Sequence, residues 1–176
     1  NFMKSKENIV FLGMMGSGKT SIGLLVSKKL KLQFFDIDKC IEEQQKMKIL
    51  DIFKEKGELF FRTLEEKITI DILQKKRIVV ALGGGAFLNK NIRNEVLNNH
   101  FSFWLKWDNK ILIDRIINSP QRPIAYNASH EELNKLIKNR SSSYSLADKK
   151  VNCNNLTKTQ IVSKIMKLYE NKKNNN

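Results

Sequence analysis

Short apolar runs alternate along the chain with longer segments in which apolar residues recur at helical spacing. The short runs are rich in β-branched and aromatic residues, which predicts buried strands over residues 9–12, 32–38, 77–82, 101–107 and 151–153. The periodic segments predict helices over 21–30, 40–47, 51–56, 58–76, 109–118 and 131–147, and further helices after the N-caps Asn89 and Thr157. Because strands and helices alternate, we expect a three-layer α/β fold: a mostly parallel five-stranded sheet with helices on both faces.

One internal stretch lacks this periodicity. Residues 119–130 contain both prolines of the chain, and a long aperiodic segment inside a compact domain is typical of a lid. We expect a single domain over residues 9–170, which includes this lid. The polar residues 1–8 and 171–176 predict a flexible N-terminus and a disordered tail.

The first predicted strand leads into a glycine-rich segment that fits G-x-x-x-x-G-K-[ST], the phosphate-binding P-loop. A strand before it and a helix after it are the context in which this motif works. Its backbone N–H groups and the N-terminus of the following helix would bind phosphate. The expected nucleotide-binding residues are Gly13, Met14, Met15, Gly16, Ser17, Gly18, Lys19, Thr20 and Ser21. Lys19 can reach the β- and γ-phosphates, and the Thr20 hydroxyl can bind Mg²⁺.

The charge and cysteine content change this picture little. The net charge is +14 at pH 7, but the lysines are spread along the whole chain, so biased composition is the first explanation. A basic surface would also attract anionic substrates such as ATP, and nucleic-acid binding ranks third. The N-terminus lacks a signal-peptide pattern, no apolar run approaches the roughly 20 residues that span a bilayer, and Cys40 and Cys153 lack metal-ligand spacing. We therefore expect a cytoplasmic monomer with no membrane or nucleic-acid partner.

Further candidate residues follow the other predicted strands. Asp36 and Asp38 end the second strand, where open α/β sheets bind ligands. Asp36 could instead cap the following helix, although the paired acids make that the lesser interpretation. The glycines 83–85 follow a strand and would let a ligand approach the backbone closely. Met14 and Met15 occupy permissive positions of the P-loop, so we assign no chemistry to their side chains. We expect His100 to lie on the surface.

Together these motifs resemble the shikimate kinases, which belong to the nucleoside-monophosphate-kinase-like branch of P-loop proteins. Residues 57–65 fit the family's G-E-x-x-F-R-x-x-E, and Arg122 with Pro123 lies in the predicted lid. Arg140 and Tyr144 follow at the family's spacing. The resemblance covers nearly the whole chain. The sequence departs from the family pattern at residues 124–125, where two leucines are usual, and at the serines 141–143, where a proline is usual.

This resemblance implies ATP-dependent phosphorylation of the 3-hydroxyl of shikimate with Mg²⁺. Arg62 and Arg140 would bind the substrate carboxylate, because the planar guanidinium suits bidentate binding. Asp38 would orient and deprotonate the attacking hydroxyl. The implied substrate-binding residues are Asp38, Arg62, Gly83, Gly84, Gly85 and Arg140. Glu65 is as consistent with a salt bridge that positions Arg62 as with a direct ligand.

The resemblance also implies roles at the phosphate donor. Lys19 and Arg122 would stabilise charge on the transferring phosphoryl group, so the expected catalytic residues are Lys19, Asp38 and Arg122. Arg115 would lie near the adenine. Thr20 and Asp36 would hold Mg²⁺.

Two other functions remain open from the residues. One is a gluconate or nucleotide kinase of the same fold, although the paired arginines and the glycine triplet disfavour a nucleobase acceptor. The other is a basic P-loop module that binds nucleic acid. Its binding would weaken steeply with salt.

Overall fold

Five parallel strands form a single sheet in the order β2-β3-β1-β4-β5. The computed structural model describes residues 8–119 and 127–175. Its strands are β1 (Ile9–Leu12), β2 (Gln33–Asp36), β3 (Ile78–Ala81), β4 (Phe101–Lys106) and β5 (Lys149–Asn152). The predicted five-stranded parallel sheet is confirmed. Most of the predicted lid, with Arg122, lies outside the described residues.

Helices connect the strands and cover both faces of the sheet. They are α1 (Lys19–Leu30), α2 (Ile37–Gln45), α3 (Ile49–Leu73), α4 (Lys90–Asn99), α5 (Asn109–Ile117), α6 (His130–Tyr144) and α7 (Lys158–Asn174). Helices α1 and α7 pack on one face, and the apolar residues of α2 to α6 pack on the other. No helix in the two described stretches is long and apolar enough to cross a membrane.

The core consists of two apolar clusters separated by the sheet. Along β1, Ile9 and Phe11 pack toward α1 and α7, whereas Val10 and Leu12 pack toward the opposite helices. All four side chains are buried, as expected for a central parallel strand covered on both faces. Buried strands thus hold the segments that follow their carboxyl ends in fixed positions.

The strand order brings three candidate segments together. Strand β3 lies between β1 and β2, with Ala81 paired with both Phe11 and Asp36. Because these strands are parallel, the P-loop, the glycines 83–85 and the acids 36 and 38 leave the sheet at the same edge. Ligands of open α/β sheets bind at this carboxyl edge.

The predicted boundary between the second strand and the helix after it is wrong. Strand β2 ends at Asp36, whose carboxylate caps α2 by accepting from the backbone N–H of Lys39, so Asp38 lies in the first turn of a helix. The capping carboxylate favours helix initiation over a longer strand. The two helices predicted on either side of Gly57 are confirmed, because α3 is interrupted at that residue by a non-helical φ of 86° and ψ of 168°. Glycine adopts positive φ readily, so Gly57 separates the two helical segments of α3.

Two other expectations also fail. Helix α7 begins with a capping box at Thr157 and continues to Asn174, so the predicted disordered tail is helical over residues 171–174. His100 is buried, with 4% of its surface exposed. Its Nε2 lies 3.1 Å from Glu95 Oε1. The residue directly precedes β4, an interior strand of the sheet, and its burial depends on tertiary packing that the preceding asparagines do not indicate.

Candidate active site

A cleft of about 700 Å³ opens at the carboxyl edge of the sheet. The P-loop forms one part of its wall, and charged side chains from α2, α3 and α6 form another. Its lining includes Gly16, Ser17, Gly18, Lys19, Thr20, Ser21, Asp36, Asp38, Arg62, Glu65, Gly84, Gly85 and Arg140. The cleft therefore brings most of the predicted site residues together.

The P-loop backbone is shaped to bind an anion. A side chain at Gly13, where φ is 148°, would come within 3.0 Å of the Leu105 carbonyl oxygen and of Ser17 Oγ. Gly18 caps α1 in the left-handed conformation and supplies no side-chain acceptor for the N–H groups of the first turn. These N–H groups and the positive end of the helix dipole suit phosphate oxygens.

The Lys19 ammonium lies within this loop. Its Nζ donates to the carbonyl oxygens of Gly13 at 2.6 Å and of Met14 at 2.9 Å. The next residue, Thr20, donates its hydroxyl to Asp36 Oδ2 at 2.6 Å. The same carboxylate accepts from the backbone N–H of Lys39 at 3.4 Å, so Asp36 both caps α2 and faces the P-loop.

The Thr20 and Asp36 oxygens suit a magnesium ion. Mg²⁺ prefers oxygen ligands, usually keeps several waters, and takes only one or two ligands from a nucleotide-binding protein. A hydroxyl and a carboxylate 2.6 Å apart beside the P-loop match that requirement. No cluster of three or more histidine, cysteine or acidic side chains suited to a metal ion occurs in the described part of the chain.

Asp38 is the candidate general base of the cleft. Burial and the neighbouring Asp36 carboxylate raise its pKa to about 6, with further contributions from Glu65 and Glu42. The Lys19 ammonium opposes this increase. A carboxyl group with a pKa of about 6 is ionised at neutral pH yet basic enough to accept a proton from a hydroxyl in a transition state.

Two arginines line the same cleft as Asp38. Arg62 Nη1 contacts the buried Glu65 carboxylate at 2.8 Å. Arg140 is only 2% exposed, and burial lowers its pKa. Within the described residues its Nε has no hydrogen-bond partner, and no carboxylate lies within 4.0 Å of its guanidinium. A buried arginine without a carboxylate partner is costly unless an anion compensates it.

The glycines 83–85 make this convergence of charges possible. A Cβ atom at position 83 would lie 2.8 Å from Asp38 Oδ1 and 2.9 Å from Glu65 Oε2. At position 84 it would lie 3.1 Å from Arg140 Nη1. At position 85 it would lie 2.7 Å from both Arg62 Nη atoms. The missing Cβ atoms thus let acidic and basic groups approach one backbone segment.

The site and the fold match one protein family. The family model for shikimate kinase matches residues 15–170. The chain belongs to the shikimate kinase family. It is 39% identical to the shikimate kinase of Sulfurihydrogenibium sp. (strain YO3AOP1), over 91% of this chain and 96% of the relative. It is 41% identical to that of Bacillus subtilis (strain 168), over 92% of this chain and 88% of the relative.

A solved structure shares the whole architecture. The shikimate kinase from Acinetobacter baumannii, determined in complex with shikimate, superposes with a TM-score of 0.90. The alignment covers 97% of each chain at 27% identity. Membership of the shikimate kinase family therefore agrees with both the sequence motifs and the fold.

Sequence reasoning missed one residue that packs against the buried Arg140. Met14, which was assigned no chemistry, is buried, and its sulfur lies 4.0 Å from Arg140 Nη1 and 3.9 Å from the Tyr144 hydroxyl. That hydroxyl donates to the Gly84 carbonyl oxygen. Met14 is 126 and 130 residues from these partners in the chain, so no local pattern could indicate the contact.

Phe53 and Phe61 give the cleft an apolar wall. Their ring centroids are 4.7 Å apart, and both residues line the cleft. Phe61 belongs to the family motif over residues 57–65, but no motif placed Phe53 at the site. Among the remaining candidates, Arg115 lies beside the P-loop, where its Nη1 donates to the Gly16 carbonyl oxygen at 2.9 Å.

Proposed function

We propose that the chain transfers the γ-phosphoryl group of ATP to the 3-hydroxyl of shikimate. The observation that carries this proposal is one cleft that joins a P-loop to the buried Arg140. Asp38 interacts electrostatically with Lys19 at the P-loop and with Glu65 beside the arginines. This arrangement supports a phosphate donor at one end of the cleft, a carboxylate-bearing acceptor at the other, and a base within reach of both.

The acceptor would be held by charge and by shape. Arg62 and Arg140 would bind the carboxylate of shikimate, and that anion would offset the cost of burying Arg140. Phe53 and Phe61 would pack against the apolar part of the ring. The backbone at Gly84 and Gly85 would lie against the substrate. Glu65 would keep Arg62 in place through their 2.8 Å ion pair.

The donor would be held by the P-loop. Backbone N–H groups around the loop and the Lys19 ammonium would bind the β- and γ-phosphates. Thr20 and Asp36 would hold Mg²⁺, which neutralises phosphate charge when it is bound. Arg122, outside the described residues, would add positive charge on the transferring group. These groups act mainly by placing fixed charge where negative charge develops in the transition state.

Asp38 would complete the reaction by taking the proton. As the 3-hydroxyl oxygen forms its bond to the γ-phosphorus, the bond from that phosphorus to the β,γ-bridging oxygen breaks. Its electron pair leaves with ADP. The hydroxyl proton passes to the Asp38 carboxylate, so charge and atoms balance across the step.

A coupled ADP-release assay tests the acceptor. ATP and Mg²⁺ are supplied with shikimate, gluconate or a nucleoside monophosphate in parallel, and Lys19→Ala serves as the inactive control. We expect ADP release that depends on shikimate and disappears in Lys19→Ala, because its ammonium stabilises the transferring phosphoryl group. Release that depends on gluconate or a nucleoside monophosphate instead would overturn the proposal.

We further propose a cytoplasmic monomer that binds no nucleic acid. Cys40 and Cys153 are free thiols, which suits a reducing compartment. Light scattering during size-exclusion chromatography measures the mass. Filter binding of DNA at two salt concentrations tests the basic surface, and tight binding with a steep salt dependence would favour the nucleic-acid alternative.

A further inference from the structure

Trp107 contacts the P-loop from outside the phosphate site. It directly follows β4 and is half-buried. Its indole Nε1 donates to the Ser17 carbonyl oxygen at 2.8 Å, across 90 residues of chain. The C=O of Ser17 and the N–H of Gly18 belong to one trans peptide, so they point in opposite directions. By holding the carbonyl oxygen, the indole fixes the direction in which the Gly18 N–H points.

The same ring supports a second nucleotide-site candidate. The Arg115 guanidinium lies 4.0 Å from the centre of the Trp107 ring, and its Nη1 donates to the Gly16 carbonyl oxygen. Arg115 is exposed. A guanidinium is planar and stacks on aromatic rings through either face. With one face on the indole, the other face suits stacking with a purine base.

The segment that carries Trp107 is braced against the neighbouring strand connection. The Asp108 backbone N–H donates to Asn154 Oδ1 at 2.9 Å, and Asn154 Nδ2 donates to Asp108 Oδ1 at 3.0 Å. The Lys106 carbonyl oxygen accepts from the backbone N–H of Cys153 at 2.9 Å. These hydrogen bonds tie the end of β4 to the end of β5. The indole is therefore a fixed platform rather than a mobile surface side chain.

We propose that Trp107 is a positioning residue of the nucleotide site with two separable contributions. Its N–H fixes the Ser17–Gly18 peptide of the P-loop, which serves the phosphates. Its ring forms the base of a stack in which Arg115 lies between the indole and the purine base. The inference rests on the nucleotide site of the proposed function, but not on the identity of the acceptor.

The experiment measures dissociation constants of ADP, inorganic pyrophosphate and shikimate by calorimetry. The proteins are the wild type, Trp107→Phe, which keeps an aromatic ring without the N–H, and Trp107→Leu, which keeps neither. The matched control is Trp104→Phe. Trp104 is buried on β4, and its ring centroid lies 5.9 Å from that of Tyr144.

The two contributions predict different losses for the two probes. Trp107→Phe should weaken ADP and pyrophosphate alike, by about 3- to 10-fold, as expected for one neutral hydrogen bond. Trp107→Leu should weaken ADP by a further factor of about 2 to 5, the usual effect of an exposed cation–π contact, without a further loss for pyrophosphate. Shikimate affinity should not change in either variant. Trp104→Phe should leave the ADP constant unchanged.

Fluorescence gives a readout that survives if Trp107→Leu fails to fold. In Trp104→Phe, Trp107 is the remaining tryptophan, and its emission should change on addition of ADP but not of shikimate. Arg115→Ala in that background should remove most of the change. Unchanged ADP affinity in Trp107→Phe, or emission that ignores ADP, would overturn the inference. Failure of wild-type protein to phosphorylate shikimate would overturn the proposed acceptor alone.

Discussion

The ionised carboxylate of Asp38 should make the ligand-free protein less stable at neutral pH. Replacing Asp38 by asparagine should therefore increase the free energy of unfolding at that pH. Burial and Asp36 raise the pKa of Asp38 from 3.8 to about 6. Each pKa unit of difference between the folded and the unfolded protein corresponds to about 1.4 kcal/mol. The ionised Asp38 would therefore lower the free energy of unfolding by about 3 kcal/mol without screening by water. Because Asp38 is half-buried and water in the cleft screens part of this cost, we expect about 2 kcal/mol.

The sign follows from proton binding. The folded protein holds the Asp38 proton more tightly than the unfolded chain, so this group favours folding below pH 4, and the advantage is lost as the pH rises through 6. Asp38→Asn cannot ionise. Relative to the wild type, its free energy of unfolding should therefore increase by about 2 kcal/mol between pH 4 and pH 7.

Urea denaturation of both proteins at intervals from pH 4 to pH 8 measures this difference. Asp71→Asn is the matched control, because Asp71 is exposed on α3 and does not line the cleft. A difference between wild type and Asp38→Asn that is constant with pH would refute the electrostatic reasoning. So would a variant that is less stable than the wild type only at pH 7.

The same substitution should abolish most of the activity. Loss of a general base lowers kcat by about 10²- to 10⁴-fold, whereas Asp71→Asn should retain normal turnover. In the wild type, kcat/KM for shikimate should decrease as the pH is lowered past about 6, because Asp38 then becomes protonated. A profile that stays flat down to pH 5 would argue against Asp38 as the base.

Three further predictions concern the arginines. Arg62→Lys should weaken shikimate binding by about 1–3 kcal/mol and leave ATP binding unchanged, because an ammonium cannot form the bidentate pair; equal losses in titrations with each ligand would indicate a structural role. Gly85→Ala should raise the KM for shikimate with little change in Tm. The φ of −98° at Gly85 suits alanine, but the new Cβ would lie 2.7 Å from the Arg62 guanidinium nitrogens; an unchanged KM would contradict this account. Arg122→Ala should lower kcat by about 10³- to 10⁵-fold with unchanged ATP affinity, and normal single-turnover chemistry would show that Arg122 does not act on the phosphoryl group.

The sequence alone predicted the features that depend on neighbouring residues, above all the P-loop and two helix caps. The P-loop could be predicted because its glycine spacing, the apolar run before it and the periodic segment after it are all contiguous. The caps Asn89 and Thr157 were predicted correctly for the same reason, since each accepts from backbone N–H groups within three residues. The alternation of strands and helices also sufficed for the parallel sheet. The P-loop and the caps depend only on neighbouring residues, whereas the sheet joins strands as far apart in the chain as Ile9 and Val79.

Tertiary structure decided which residues contact each other and how deeply their side chains are buried. The placement of β3 beside β1 brings the glycines 83–85 to the cleft, and only then can Asp38 and Arg140 approach one backbone segment. The burial of His100 and the hydrogen bond from Trp107 to the P-loop likewise depend on the packing around β4. The raised pKa of Asp38 also depends on the tertiary structure. Desolvation and nearby charges raise it, and both arise only when the site is assembled, so the residue type alone could not predict the shift.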